Sequence, residues 1–251
     1  MDDFTVYGDS FNEALENLEK VLIICKEKNI LLSHEKCFMT FNDWIVLGHH
    51  ISGDGIKVYS SKVEVISKLS VPNCQKDIKS FFGFTGYYRR FIENLTKIAS
   101  PLFKLLTKDC EFNWNSDCQP SFETLKKRIF EAPNLKGPNW KLPFHISTDA
   151  LDTTLGTVLG KKYLTPYAIY YSSKNSTPTK LNYAVIEKEF LVVVHAINKF
   201  WHYITGYETF IHTDHFSTRY LMNKPIANGR ITRWLLLLQE FNITILDRPE
   251  N

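Results

Sequence analysis

The feature that most constrains this chain is one long amphipathic run set among short apolar ones. From Tyr183, apolar residues Ile186, Phe190, Val193, Ile197, Trp201 and Ile204 recur at steps of three and four. That is the period of a helix with one buried face, here spanning about 183–203. Ahead of it, residues 142–148, 155–159 and 167–171 read as three consecutive strands joined by short loops. After it, 207–213 and 242–246 read as strands, and 217–222 and 231–240 as helices. The order β-β-β-α-β-α-α-β predicts a mixed five-stranded sheet with helices.

Three acids fall at telling places in that pattern. Asp149 ends the first strand, within Ser147-Thr148-Asp149-Ala150. Glu189, within Glu187-Lys188-Glu189-Phe190, lies one turn from Ile186 and from Val193, so it shares the buried helical face. Asp214, within Thr213-Asp214-His215, ends the fourth strand. Strand ends and a covering helix can bring these acids to one point. Converging carboxylates repel, and a hard cation such as Mg²⁺ between them relieves the repulsion. A metal–carboxylate cluster is suited to cutting phosphodiesters. Taken singly, each acid has a plainer reading: a strand-end cap for either Asp, a surface ion pair for Glu189.

Residues 60–135 have a different character. Runs at 60–69, from 73 or 75 to 92, at 101–106 and at 120–130 read as helices, the second with Ile78, Phe81, Phe82, Thr85 and Tyr88 on one stripe. The whole chain carries a net charge of +3, but residues 60–110 hold nine Lys or Arg against four acids. A basic middle fits a grip on nucleic acid, and equally a solvated helical face. Gly83 and Gly86 interrupt the helical run, each at about 1 kcal/mol relative to Ala. A backbone meeting a nucleic-acid groove would explain them, as would close helix packing. Tyr87, Arg89 and Arg90 follow directly and suit stacking on sugars or binding phosphates.

Before residue 60 the chain reads as a strand at 3–7, a helix at 11–28, strands at 38–39 and 44–47, and a hairpin around Ser52-Gly53-Asp54-Gly55. Five cysteines without a CxxC pair argue against a disulfide framework and a zinc site, and suit a reducing compartment. No secretory leader or membrane-length apolar run is visible. The five tryptophans read as core or interdomain packing rather than stacking platforms, and the histidines show no metal-ligand spacing.

In their order along the chain, these phrases resemble the reverse transcriptase–ribonuclease H segment of gypsy-type LTR retrotransposons and retroviruses. Asp2-Asp3 resembles the end of the polymerase's aromatic-x-Asp-Asp signature. Val46-Leu47-Gly48-His49 with Gly55-Ile56 resembles the primer grip. Ser80-Phe81-Phe82-Gly83-Phe84-Thr85-Gly86-Tyr87-Tyr88-Arg89-Arg90 resembles a thumb helix. Thr148-Asp149-Ala150, Asn182-Tyr183, Glu187-Lys188-Glu189 and Thr213-Asp214-His215 resemble the ribonuclease H domain.

The resemblance implies an α/β multidomain chain. Residues 1–58 would be the end of the polymerase palm, 59–137 an all-α thumb and connection, and 138–251 an incomplete ribonuclease H-like domain. It implies Asp149, Glu189 and Asp214 as catalytic ligands of Mg²⁺ (Mn²⁺ as a substitute), with Asp2 and Asp3 as polymerase acids and metal ligands. Gly83, Gly86, Tyr87, Arg89, Arg90 and His215 would contact nucleic acid, although His215 could equally cap the following helix. The partners implied are an RNA–DNA hybrid, a template–primer duplex and the rest of a Pol polyprotein, inside a cytoplasmic retrotransposon particle or the nucleus, with no membrane. The family's fourth ribonuclease H carboxylate and its upstream palm acid are expected outside residues 1–251. Leu151 departs from the Ser usual after Asp-Ala. Such a chain would be part of an RNA-directed DNA polymerase with ribonuclease H, or a catalytically inactive remnant that binds nucleic acid.

Overall fold

The computed structural model describes residues 4–8, 10–33, 35, 37–38, 43–107, 110–151, 153–162, 165–177, 180, 183–213 and 229–247. The chain divides into two compact units, 1–42 and 43–251.

In the first unit, α1 spans Phe11–Glu27. The Ser10 hydroxyl accepts from the Glu13 backbone N–H at 3.2 Å, an N-cap that satisfies one of the helix's orphan donors. Asn29 adopts φ 54°, and the N–H groups of Asn29 and Ile30 return to the carbonyls of Lys26 and Cys25. That is a Schellman ending with Asn in the left-handed position. The strand expected at 3–7 does not form over residues 4–7. The Tyr7 carbonyl is taken by the Asn17 side-chain amide instead of a ladder.

The second unit opens with a three-stranded antiparallel meander, β1 (Asp43–Val46), β2 (His49–Ser52) and β3 (Gly55–Val58). Leu47 and Gly48 both take positive φ, the two-residue turn that matches strand twist. Ile56 exchanges both backbone hydrogen bonds with Leu135, at 2.8 and 3.0 Å. A Cβ on Gly55 would strike the Leu135 carbonyl, so this position needs glycine.

Five helices follow: α2 (Ser60–Ser67), α3 (Gln75–Tyr87), α4 (Leu95–Ile98), α5 (Ser100–Lys104) and α6 (Cys118–Phe130). Their shared core includes Ile66, Ile78, Phe81, Leu102, Phe122 and Leu125, with the Phe81 and Phe122 rings 4.7 Å apart. The helix expected to run to residue 92 stops at Tyr87, and Arg89–Phe91 forms a separate 3₁₀ turn. The meander belongs to this helical core through Ile56 and Val58, rather than to residues 1–42.

The sheet domain carries β4 (Phe144–Ala150), β5 (Thr154–Lys162), β6 (Pro166–Asn175), α7 (Val185–Ile204), β7 (Thr209–Thr213), α8 (Gly229–Gln239) and β8 (Ile243–Asp247). The strand order is β6-β5-β4-β7-β8, with β4–β5 and β5–β6 antiparallel and β4–β7 and β7–β8 parallel. This is the mixed five-stranded sheet that the sequence pattern predicts. The helix α7 lays Phe190, Val193, Ala196, Ile197, Phe200 and Ile204 on Phe144, Ile146, Leu159 and Ile211. At about 1.5–3 kcal/mol for each large apolar side chain, this layer dominates the domain's stability. Two residues of the expected stripe, Ile186 and Trp201, are exposed, and Val192 and Ala196 are buried in their place. The expected helix at 217–222 lies outside the described residues.

The helical block and the sheet meet at β6. The Thr96 backbone N–H donates to Ser173 Oγ at 3.0 Å, and Arg89 Nη2 donates to the Ser173 carbonyl at 3.4 Å. Ala168 and Tyr171 pack into the helical core. These contacts cover a sheet edge that would otherwise present bare backbone groups.

Candidate functional site

Asp149 stands next to last on β4, directly opposite Gly156 of β5, and is half-buried. Glu189 sits on α7 at 7% exposure, in a helical run buried through Val194. Beside them Leu155, Leu191 and Val192 form one small cluster, with Ala150 and Trp234 packed against it. That cluster packs the end of β4 against α7 at one corner of the domain; Asp149 precedes Ala150 on the strand, and Glu189 precedes Leu191 by two residues on the helix. Glu189 therefore occupies the inner face that its helical spacing predicts.

The neighbouring acid does something else. Glu187 accepts from the Ala184 backbone N–H at 3.2 Å, which caps α7. Its carboxylate also meets Arg230 of α8 at 3.5 Å, and the guanidinium lies 4.4 Å over the Tyr183 ring. One carboxylate of the Glu187-Lys188-Glu189 phrase holds helix to helix, and the other is turned inward.

The β4–β7 junction beneath the corner is pinned by Thr148, whose hydroxyl donates to the His212 carbonyl at 3.1 Å. Asp214 and His215 follow β7 and lie outside the described residues, as do Asp2, Asp3 and Asn182. Among the described residues no group of three or more His, Cys, Asp or Glu is placed to hold a metal ion. Asp149 and Glu189 supply hard oxygen donors, one of them drawn into an apolar face. That donor set fits Mg²⁺ in kind.

The second group of sequence candidates lies on the helical block. A Cβ built on Gly83 or Gly86 would meet nothing within 4 Å. Close helix packing therefore does not explain these glycines. Tyr87 is 47% exposed, and its ring stacks on His49 at 4.9 Å. The Tyr88 hydroxyl donates to the Gly48 carbonyl at 2.9 Å. His49 also packs against Tyr88 and Phe91, and burial lowers its pKa. The Leu47-Gly48 turn with His49 and the end of α3 are thus one aromatic assembly. Arg89 and Arg90 face β6: Arg89 caps Ser173, and the Arg90 guanidinium lies 4.9 Å over the Tyr170 ring.

Sequence reasoning missed the cations facing these two from the sheet domain. Lys199 of α7 lies 5.0 Å over the same Tyr170 ring. His195, also on α7, approaches Ser172 Oγ at 3.4 Å, and burial, reinforced by Lys174, Lys199, Lys180 and Arg89, pulls its pKa down to about 4. No local motif marks this group, because it is assembled from α7, β6, the 3₁₀ turn and Lys180.

This fold and corner define a ribonuclease H-like domain joined to a helical block. Residues 139–241 match the family model described as the RNase H-like domain found in reverse transcriptase. The chain is 33% identical over 246 residues to the retrovirus-related Pol polyprotein from transposon 297 of Drosophila melanogaster, covering 98% of this chain and 23% of that protein. It is 32% identical over 246 residues to that of transposon 412 from the same organism (98% and 20%). To the Tf2-3 polyprotein of Schizosaccharomyces pombe it is 29% identical over 255 residues (99% and 19%). A foamy viral protease–reverse transcriptase in complex with RNA/DNA hybrid shares the fold, with TM-score 0.79 and 22% identity over 98% of this chain and 34% of that one. The same protein's dRH form in complex with double-stranded DNA gives TM-score 0.78 and 23% identity, over 98% and 44%.

Residues 139–241 are an RNase H-like domain of the reverse transcriptase kind, and the chain's relatives are retrovirus-related Pol polyproteins of gypsy-type transposons. The chain spans about a fifth to a quarter of the length of those curated relatives.

Proposed function

We propose that residues 138–251 hydrolyse the RNA strand of an RNA–DNA hybrid that the helical block helps to hold. The observation that carries this reading is Glu189: an acid kept at 7% exposure in an otherwise apolar helical face, on the helix that packs against the end of the strand bearing Asp149. Asp149, Glu189 and Asp214 would hold Mg²⁺, with Mn²⁺ as a substitute. The cation would supply an activated water and charge stabilisation at the cut phosphate. The protein fixes the carboxylates: Thr148 ties β4 to β7, and Glu187 with Arg230 ties α7 to α8. Selectivity for RNA would come from contact with the 2′-hydroxyl.

Within a longer Pol polyprotein, Asp2 and Asp3 would serve the polymerase, and the His49–Tyr87 assembly would lie along a template–primer duplex. A second reading, binding without hydrolysis, draws on Gly83 and Gly86, whose bare outer faces suit nucleic acid whether or not the corner cuts.

The test is cleavage of a labelled RNA–DNA hybrid by the purified chain in Mg²⁺ or Mn²⁺, beside Asp149→Asn. Cutting that Asp149→Asn abolishes supports hydrolysis. Salt-sensitive binding without cutting supports the binding reading.

A further inference from the structure

The face of the sheet turned away from α7 carries two histidines in contact. Phe144, Ile146 and Ile211 lie under α7. Strand alternation therefore sends His145, Phe210 and His212 to the other side. His145 Nδ1 and His212 Nε2 are 2.9 Å apart, and the two rings are nearly parallel, at 11° with centroids 5.2 Å apart. The Phe210 ring packs on His145 at 5.3 Å. Thr148 holds the backbone of His212 by donating to its carbonyl at 3.1 Å. Both histidines are half-buried, so packing as well as hydrogen bonding fixes the pair.

Imidazole nitrogens bind zinc and its neighbours in the first transition row at about 2.0–2.1 Å. Two such nitrogens on one ion lie about 2.9 Å apart at a right angle and about 3.4 Å apart at the tetrahedral angle. The separation of the His145 and His212 nitrogens is therefore already that of a chelating pair. As a hydrogen bond, the same contact needs one ring as donor and the other as acceptor. With the His145 proton on Nε2 and the His212 proton on Nδ1, both facing nitrogens offer lone pairs, and an ion takes the place of the shared proton. Burial, then His212, Lys162 and Lys161, hold the pKa of His145 below the usual 6.5. Its ring is thus neutral at pH 7, as a ligand must be. Gly160 stands opposite His145 on β5, and Ser147 opposite His212 on β4. Neither puts a bulky side chain against the pair, which leaves coordination positions for water. Among the described residues no third His, Cys, Asp or Glu joins the two.

We propose that His145 and His212 form a binding site for a late first-row divalent cation, of the Ni²⁺, Cu²⁺ and Zn²⁺ kind, which clamps β4 to β7 on the face away from α7. Its donors set it apart from the carboxylates: imidazole suits these borderline ions, whereas Mg²⁺ takes oxygen. The site stands whether or not hybrid is cut, since neither histidine has a part in hydrolysis. An ion here ties together the strands that lead into Asp149 and Asp214. Because the unfolded chain does not hold the two rings together, the ion stabilises the folded state by mass action.

The experiment titrates the purified chain with Ni²⁺ by calorimetry and follows melting curves with and without the ion. The variants are His145→Gln and His212→Gln, with His202→Gln, Cys37→Ser and Asp149→Asn as controls. Wild type should bind Ni²⁺ and melt several degrees higher at about a hundredfold excess over Kd. Either His→Gln change should weaken that binding at least about tenfold and abolish the shift. Losing even an outer partner of a metal ligand costs about 10- to 100-fold, and losing a ligand should cost no less. The controls should keep both the binding and the shift, and excess Mg²⁺ should not displace Ni²⁺. A readout on wild type alone covers the case of a variant that fails to fold. Substoichiometric Ni²⁺, being paramagnetic, should broaden the imidazole NMR signals of His145 and His212 before those of the other histidines. Binding that survives either His→Gln change, or broadening that begins at another histidine, would overturn the site. So would an equal loss of binding in Cys37→Ser or Asp149→Asn, which would put the ion on a thiol or among the carboxylates.

Discussion

The helices α3 and α7 depart from local preference in opposite directions. Along α7, packing against the sheet selects apolar residues, yet Glu189 stands among them buried. Along α3, helix propensity selects side chains, yet Gly83 and Gly86 leave its outer face bare while Ile78, Phe81 and Thr85 bury the inner one. One helix carries a charge where the core would choose none; the other omits side chains where solvent would tolerate any. Departures of this kind concentrate at functional positions, because elsewhere each local choice agrees with the fold. The contrast also assigns different tasks: α7 would present chemistry inward to a corner, and α3 would offer backbone outward to a surface.

The sharpest way to break that contrast is to exchange the two acids of α7. Glu189→Gln or Asp149→Asn should lower hybrid cleavage by roughly 10²- to 10³-fold, the scale of losing one preorganised electrostatic group. Both should keep the folded state, since each conserves volume. Glu187→Gln should leave cleavage within a few-fold and shift stability by up to about 1 kcal/mol, because it removes a partly exposed pair with Arg230. Cleavage rates and melting curves for the three variants read this directly. A Glu187→Gln loss as deep as that of Glu189→Gln would erase the distinction between them.

A second effect tests the helix on its basic side. The pKa of His195 is drawn from the usual 6.5 to about 4, chiefly by burial and then by Lys174, Lys199, Lys180 and Arg89. Its folded pKa lies below its unfolded one, so the unfolded chain binds the extra proton first. The stability is present above about pH 6.5, is lost as pH falls toward 4, and changes little below that. A shift of this size amounts to at most about 3 kcal/mol. Denaturant titrations at pH 7, 5.5 and 4 should show the decline, and His195→Leu should flatten it. An unchanged slope in His195→Leu would place the acid sensitivity elsewhere.

The sequence made the sheet order and the inward turn of Glu189 legible because both follow from periodicity within one element. The 3.6-residue period fails at the ends of α7, where Ile186 and Trp201 pass beyond the sheet and become exposed. The end of α3 was not legible. Tyr88 turns inward to hydrogen-bond Gly48, and the backbone then tightens into the 3₁₀ turn that aims Arg89 and Arg90 at β6. That turn depends on a partner 84 residues away, which no local pattern encodes. Lys161 is a similar case. In an alternating strand it reads as solvent-facing, yet it is 1% exposed, donates to the Leu142 carbonyl and lies over the Phe144 ring. Burial brings its pKa down to about 8.

A smaller prediction concerns the row that joins the two domains. A Cβ on Gly156 would come within 2.7 Å of Asn94 Oδ1, on a residue in the left-handed region. Gly156→Ala should cost about 1 kcal/mol, the low end of overpacking, because the Asn94 amide can move aside. Adding Asn94→Ala should recover part of that loss, and a double-mutant cycle from melting data isolates the coupling. Additive effects would show that the seam does not press on the strand opposite Asp149.

The smallest effect returns to α3. Gly83→Ala and Gly86→Ala meet open space, so each should stabilise the helix by up to about 1 kcal/mol through propensity. If nucleic acid approaches this face, the added methyls should also weaken hybrid binding, so stability and affinity would move in opposite directions. Such a split is informative because a glycine kept for packing would lose both together. Alanine at both positions that raises the melting temperature and leaves hybrid affinity unchanged would remove Gly83 and Gly86 from the interface. It would leave the outward role of α3 to Tyr87, whose ring is already committed in part to His49.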